Sequence, residues 1–192
     1  MNGLVDQLKA LVENKGAKRL SVFVQDESRF GLMPIIRRRI TAKGVKPIES
    51  VQQVFESYYI YGAVEPLTGE NFFLEMPCLD SECFQVFLNE LCKYYCDRYI
   101  IMLLDNGGIH KAKRLVIYDN VVFLFLPPYS PELNPIERLW QDIKGKVGFS
   151  LYEKLEGLKG RVAEILKQYT HSAIASLTGY SYLIKAVNAL ST

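Results

Sequence analysis

The chain has 192 residues, a length that fits one domain or one domain with a short appendage. Hydrophobic residues make up 49% of it and aromatic residues 12%, which permits a full core and excludes global disorder. The formal net charge of +2 is close to neutral, so any contact with nucleic acid must come from local basic patches.

The chain carries no signal for a membrane. No apolar run reaches the roughly 18 residues that a spanning helix needs, and the N-terminus lacks a signal-peptide pattern. We therefore expect a cytoplasmic protein, without membrane contact, whose cysteines are reduced. The four cysteines lack the CxxC spacing of common zinc sites, and Cys92 and Cys96 lie one helical turn apart on an apolar stripe, which favours core packing over metal binding.

Hydrophobic periodicity predicts an alternation of strands and helices. Strands are predicted at 20–25, 58–64, 71–75, 99–104 and 121–126. Helices are predicted at 3–13, 81–95, 111–117, from Asn134-Pro135 to about 146, from a capping box at Ser150 and Glu153 to about 169, and between 179 and 190. Early hairpin strands followed by parallel units predict an α/β fold, with a mixed five-stranded sheet and helices on both faces.

Three acids lie where open α/β sheets place their functional sites. Asp26 and Asp105 each follow an apolar strand, and Glu137 begins the helix after a third strand. Carboxylate oxygens are the ligands that Mg²⁺ and Mn²⁺ prefer, and two such ions can support phosphodiester cleavage. The pattern therefore indicates a metal-dependent site.

Spacing alone leaves other readings open. An Asp at a strand end is common in turns, and a Glu in a first helical turn favours the helix dipole. Glu27 competes with Asp26 as a ligand, while Glu132 and Asp142 compete with Glu137. Since residues 26 and 27 of a strand point to opposite sides, one of that pair is expected to reach a metal.

Three segments in this order, DES at 26–28, DNGGIH at 105–110 and PPYSPELNPIERLW at 127–140, resemble the DDE transposases of the mariner superfamily, especially its bacterial insertion-sequence branch. The resemblance covers roughly residues 18–147. It implies an RNase H-like fold and a two-metal site of Asp26, Asp105 and Glu137. It also implies two Mg²⁺ or Mn²⁺ ions per site, which support cleavage of transposon ends and joining to target DNA. The 31 residues between Asp105 and Glu137 are slightly fewer than usual there.

Supporting roles are suggested for residues around the second and third acids. Asn106 and His110 match the family's pattern after the second acid, and His110 is expected either beside the metal site or as a cap of the following helix. Prolines in the PPYSP turn fix backbone angles, and Asn134 before a proline is a good N-cap. Trp140, three residues after Glu137, is expected to pack rather than to stack on a base.

Basic residues near the early hairpin and after Asp105 are candidates for phosphate contacts. They are Arg37, Arg38, Arg39, Lys43, Lys46, Lys111 and Lys113. The first group equally fits a solvated edge strand that uses charge against aggregation.

The organisation expected from these patterns is a linker helix over 1–17, a catalytic core over 18–147 and C-terminal helices over 148–192. The resemblance implies double-stranded DNA as partner, a homodimer on paired ends and a bacterial, nucleoid-associated location. Family members carry an N-terminal helix-turn-helix region, and only a short helix precedes the first strand here, so we expect the chain alone to bind DNA weakly and without specificity for transposon ends. Alternative interpretations are an inactive or domesticated DNA-binding relic and another RNase H-like nuclease.

Overall fold

A computed structural model of the chain describes residues 2–12, 18–32, 43–44, 55–148 and 152–190. The strands are β1 (Arg19–Gly31), β2 (Ser57–Val64), β3 (Asn71–Met76), β4 (Arg98–Leu104) and β5 (Val121–Phe125). The α-helices are α1 (Asn2–Val12), α2 (Ser81–Tyr94), α3 (Ile136–Val147), α4 (Leu155–Lys167), α5 (His171–Thr178) and α6 (Ser181–Asn188). Two 3₁₀ turns occupy Gly108–Lys111 and Pro131–Leu133.

The five strands form one mixed sheet in the order β3-β2-β1-β4-β5. β1 pairs antiparallel with β2, and β2 with β3, whereas β1, β4 and β5 run parallel. In the β1–β4 ladder, Val24 is opposite Leu103. Continuing that register by two residues places Asp26 beside Asp105 where β4 ends.

Helices cover both faces of the sheet. Val24 and Leu103 face a core shared with α3 to α6, while the alternate residues Phe23 and Met102 face a core shared with α2. β4 is buried along its whole length, as a central parallel strand between two helical layers must be. The expected mixed five-stranded sheet with helices on both faces is confirmed.

Two predicted elements near the site are wrong. β1 continues past the predicted end at residue 25 because its pairing with β2 extends to Gly31. The predicted helix over 111–117 does not form: after the 3₁₀ turn the chain is irregular, and the Val116 N–H donates to Gln85 Oε1 on α2 at 2.7 Å. A tertiary hydrogen bond thus replaces a local one.

Two helix starts can be compared with prediction. α2 begins at Ser81, as predicted, and is capped by Asp80, whose side chain accepts from two backbone N–H groups. α4 begins at Leu155, too late for a box built on Glu153, and Ser150 lies outside the described residues. Of the helices in the described ranges, none has the length and apolarity needed to cross a membrane. The division of the chain at residues 17 and 147 stays a prediction.

Candidate active site

A cleft of about 500 Å³ opens at the edge of the sheet where the parallel strands end. Among the acids in the described part of the chain, those that line it are Asp26, Asp105 and Glu137. The remaining lining residues are Asn106, Gly107, Lys111, Leu126, Pro127, Pro128, Tyr129, Ser130, Pro131 and Asn134. The three acids from three separate elements therefore share one cavity, and Glu132, whose sequence position made it a rival to Glu137, is not part of its wall.

Asp26 lies in a desolvated and negatively charged environment. Burial raises the pKa of its carboxyl well above the ordinary value, and the charges of Glu27, Glu137 and Asp105 raise it further. Trp140 Nε1 donates a hydrogen bond to Asp26 Oδ2 at 3.1 Å. The indole fixes the carboxylate, but it does not neutralise the charge that the acids accumulate.

The position of the Trp140 ring depends on a glycine in β2, which leaves space for it. Gly62 is directly opposite Asp26 in the β1–β2 ladder. A Cβ atom on Gly62 would lie only 2.7 Å from the Trp140 ring and 2.9 Å from that of Phe73. Trp140 is 1% exposed and meets Phe73 edge-on at 5.9 Å between centroids. The predicted packing role is confirmed, with a hydrogen bond to Asp26 in addition.

Asp105 is held by the loop that follows β4. Its Oδ1 accepts from the Gly107 N–H at 2.8 Å and lies 2.9 Å from His110 Nδ1. The hydrogen bond with His110 lowers the pKa of Asp105, so the carboxyl is ionised at neutral pH. The side chain is 52% exposed, which leaves its second oxygen accessible from the cleft.

His110 connects two of the candidate acids through a buried bridge. Its Nε2 lies 3.1 Å from Glu27 Oε1, and the residue is 3% exposed. Burial lowers the pKa of His110, but hydrogen bonds to Asp105 and Glu27 outweigh burial and raise it to about 9. At neutral pH both ring nitrogens are therefore protonated and both donate. Glu27 also accepts from Gln25 Nε2 at 2.8 Å, so its carboxylate is engaged behind the cleft.

Glu137 reaches the cleft because the preceding turn is tied to β1. Asn134 Nδ2 donates to the Gln25 carbonyl at 3.0 Å, and Asn134 is 2% exposed. The predicted N-cap role of Asn134 is wrong: Pro135 occupies the cap position, and no side chain caps α3. Asn134 instead fastens the start of α3 beside the segment that carries Asp26.

Asn106, a predicted supporting residue, and Lys111, a predicted phosphate contact, are linked on the cleft wall. Asn106 donates through Nδ2 to the Leu126 carbonyl, and Lys111 Nζ donates to Asn106 Oδ1. Lys111 thus presents a positive charge within the cleft, while Lys113 is exposed and does not line it.

The early basic cluster is placed only in part. Lys43 is exposed. Arg37, Arg38, Arg39 and Lys46 lie outside the described residues.

Sequence reasoning missed two residues at this site. Tyr129 is fully exposed on the cleft rim, and its backbone has a positive φ of 56°. The turn imposes this conformation, so the residue type gives no signal of it. Lys144 is seven residues after Glu137 on the same helical face, a spacing that offered a usable signal. Burial lowers the pKa of Lys144, whereas the charges of Glu137 and Asp26 raise it.

Comparisons with known proteins identify a family and two bacterial relatives. Residues 21–172 match the family described as DDE superfamily endonuclease. An uncharacterized protein, y4pE/y4sA, of Sinorhizobium fredii is 42% identical over 84 residues, which are 43% of this chain and 62% of that protein. The insertion element IS630 uncharacterized 39 kDa protein of Shigella sonnei is 30% identical over 125 residues, 62% of this chain and 36% of the relative.

Solved structures share the fold. The Mos1 transposase paired-end complex with left transposon end has a TM-score of 0.66 at 14% identity, covering 98% of this chain and 60% of that one. The mariner Mos1 paired end complex with Mg gives 0.67 at 14% identity, with 98% and 58% covered. The RNase H-like fold and the resemblance to the mariner superfamily and its insertion-sequence branch are confirmed. The chain spans less than two thirds of the relatives it matches.

Proposed function

We propose that this chain, which belongs to the family of DDE superfamily endonucleases, is the catalytic domain of a transposase that cleaves DNA and joins DNA strands. One observation carries the proposal: Asp26, Asp105 and Glu137, from three elements, line a single cleft. Two-metal nuclease chemistry needs carboxylates that can hold the ions together, and these three acids line the same cleft.

The donor set fits divalent metal ions. All three side chains offer hard carboxylate oxygens, which suit Mg²⁺ and Mn²⁺. The mutual repulsion that helps to raise the pKa of Asp26 is the interaction that a bound cation offsets. We propose two ions per site, which when bound supply an activated attacking oxygen and a neutralised leaving group. The Mos1 complex with Mg is consistent with this choice.

The surrounding residues hold this donor set in place. Trp140 orients Asp26, while the protonated His110 orients Asp105 and keeps Glu27 engaged. Such fixed partners of ligand groups commonly tune metal affinity by 10- to 100-fold. We assign Trp140 and His110 as positioning residues, with no contact to the reacting atoms.

Double-stranded DNA, as transposon ends and as target, is the proposed substrate. Lys111 in the cleft, Lys113 beside it and Lys43 are proposed to contact backbone phosphates, together with Arg37 to Arg39 and Lys46. Phosphate contacts position the duplex without reading its sequence. We further propose a homodimer on paired ends, as the paired-end complexes of the Mos1 relative suggest.

A plasmid-nicking assay tests the proposal. Supercoiled plasmid is incubated with Mn²⁺ and the wild-type chain, Asp105→Asn or Glu137→Gln, and nicked product is quantified. Both variants should lose nearly all activity. The matched control is Glu132→Gln, which removes an exposed acid of the same turn that does not line the cleft and should leave nicking unchanged.

The alternatives predict other results. Equal nicking by wild type and Asp105→Asn would refute the carboxylate site. A folded chain that binds duplex DNA but never nicks it, even with Mn²⁺, would favour a DNA-binding relic. Cleavage of RNA–DNA hybrids in preference to duplex DNA would favour another RNase H-like nuclease.

A further inference from the structure

A second group of metal-binding side chains lies in the turn between β3 and α2, away from the carboxylate cleft. Ligand atoms of Cys78, Asp80 and Cys83 all lie within 4.8 Å of one another. The two sulfur atoms are 3.3 Å apart, and Cys78 Sγ is 3.0 Å from Asp80 Oδ2. We infer that this turn is a binding site for a thiophilic divalent cation, Zn²⁺ first of all.

The backbone builds this arrangement without a metal. Asp80 caps α2: its Oδ1 accepts from the N–H groups of Glu82 at 3.0 Å and Cys83 at 2.8 Å. The capping geometry directs the second oxygen, Oδ2, at the sulfur atoms. Tyr61 Oη, 3.1 Å from the Cys78 carbonyl, ties the turn to β2. Ligands fixed in this way need little reorganisation to hold an ion.

Zinc binding at this turn depends on pH. The backbone N–H groups of Glu82 and Cys83 that donate to Asp80 favour its carboxylate form. Cysteines bind Zn²⁺ as thiolates, so each thiol that becomes a ligand gives its proton to solvent, and the affinity rises with pH.

The dimensions suit zinc. Thiolates at about 2.3 Å from a tetrahedral ion lie about 3.8 Å apart, so the sulfur atoms need to separate by roughly half an ångström. Cys78 is exposed and can make that movement, whereas Cys83 is 9% exposed and fixed on α2. With a carboxylate oxygen as third ligand, water completes the shell. Sulfur ligands select Zn²⁺ over Mg²⁺, which separates this site from the cleft.

A metal here would stabilise one wall of the active site. It would join the end of β3 to the first turn of α2. The next residue on α2, Phe84, meets the ring of His110 edge-on at 4.6 Å between centroids. Since His110 hydrogen-bonds to Asp105, a fixed position of α2 would also keep the side chains of His110 and Asp105 aligned. Such a metal would have a structural role that does not depend on whether the chain cleaves DNA.

Cobalt substitution tests the inference on the full chain. The protein is purified metal-free under reductant and titrated with Co²⁺, then with Zn²⁺ as competitor. We expect a thiolate-to-cobalt charge-transfer band that saturates at one thiolate-bound Co²⁺ per chain, and its loss when Zn²⁺ displaces the cobalt. Co²⁺ bound by the carboxylates of the cleft cannot produce this band. Cys78→Ser should abolish the band, and Asp80→Asn, which keeps a capping oxygen but loses the anionic ligand, should weaken Co²⁺ binding at least 10-fold.

The chain offers its own control thiol. Cys96 is exposed, like Cys78, but lies outside the cluster. Zn²⁺ should slow alkylation of Cys78 by iodoacetamide and leave alkylation of Cys96 unchanged, and Cys96→Ser should bind Co²⁺ as wild type does. Absence of the band in the wild-type chain would overturn the inference. So would an unchanged band in Cys78→Ser, or equal alkylation of the two thiols with and without Zn²⁺.

Discussion

A methyl group at position 62 should disturb the carboxylate cleft from the opposite strand. In the Gly62→Ala variant the new Cβ would lie 2.7 and 2.8 Å from two atoms of the Trp140 ring and 2.9 Å from Phe73. Neither ring is a flexible end that can swing away, because Trp140 is 1% exposed and packs edge-on against Phe73. The indole must therefore move away from the sheet.

Two effects of the Gly62→Ala change, overpacking of the core and loss of a hydrogen bond, set the expected size of the losses in stability and activity. Overpacking of a filled core destabilises by roughly 1–3 kcal/mol, which for a domain of this size lowers Tm by about 2–12 °C. Displacement of the indole also breaks its hydrogen bond to Asp26 Oδ2. Hydrogen bonds to charged groups contribute roughly 1.5–3 kcal/mol, which corresponds to roughly 10- to 150-fold in rate if the transition state needs the bond.

Two measurements check the reasoning: Tm by calorimetry and Mn²⁺-dependent plasmid nicking at a temperature where both proteins are folded. The control is Gly160→Ala on α4, where an added Cβ meets nothing within 4 Å. That variant should keep its activity and gain about 0.5–1 kcal/mol from helix propensity. A Gly62→Ala protein with wild-type Tm and nicking would refute the proposed seating of Trp140 against Asp26.

Three further predictions concern the Trp140 hydrogen bond, the turn at Tyr129 and the ion pair of Glu70 with Arg98. Trp140→Phe removes the indole N–H but keeps an aromatic ring, so the nicking rate should fall at least about 10-fold. Circular dichroism should show a native fold. Equal nicking rates for the variant and the wild type would argue against the hydrogen bond to Asp26. Tyr129→Gly should relieve roughly 1–2 kcal/mol of left-handed backbone strain and so raise Tm. The same variant should bind duplex DNA more weakly, as measured by fluorescence anisotropy. An unchanged affinity would mean that the exposed ring does not contact DNA. The hydrogen bond with Arg98 lowers the pKa of Glu70 from 4.5 to about 2, so the stability from this pair is present above pH 4.5 and is lost as pH falls toward 2. Urea unfolding should show wild type losing up to roughly 3 kcal/mol more than Glu70→Gln over that range, and parallel pH profiles would contradict it.

Local patterns in the sequence predict most of the sheet. The segments at 58–64, 71–75, 99–104 and 121–126 are strands because each is a short apolar run bounded by turn residues. The same patterns place Asp105 directly after β4, but the predicted strand end before Asp26 is wrong, because Asp26 lies inside β1. Local propensity fails where a distant partner takes over, as at 111–117, where Gln85 on α2 holds the backbone of Val116 in place of a helical turn.

The group of Cys78, Asp80 and Cys83 shows the same limit of local patterns. The sequence offers Cys78 and Cys83 at a spacing that matches no common zinc motif, and core packing was the expectation. Cys92 and Cys83 fulfil it, being 6% and 9% exposed within the α2 core, whereas for Cys96, which is exposed, the prediction is wrong. For Cys78 and Cys83 the deciding residue is Asp80, whose role as the cap of α2 directs an oxygen at the sulfur atoms.

The sequence by itself determined which acids are available, the order of the elements that carry them and the family to which the chain is related. These follow from local periodicity and from three motifs in a fixed order. Only the tertiary structure decided that His110 joins Asp105 to Glu27, that Asn134 fastens α3 to β1, and that Trp140 holds Asp26. Asp26 and Trp140 are 114 positions apart in the chain. Strand register and the space left by Gly62 bring them together, and neither is encoded in the local pattern of the segments concerned.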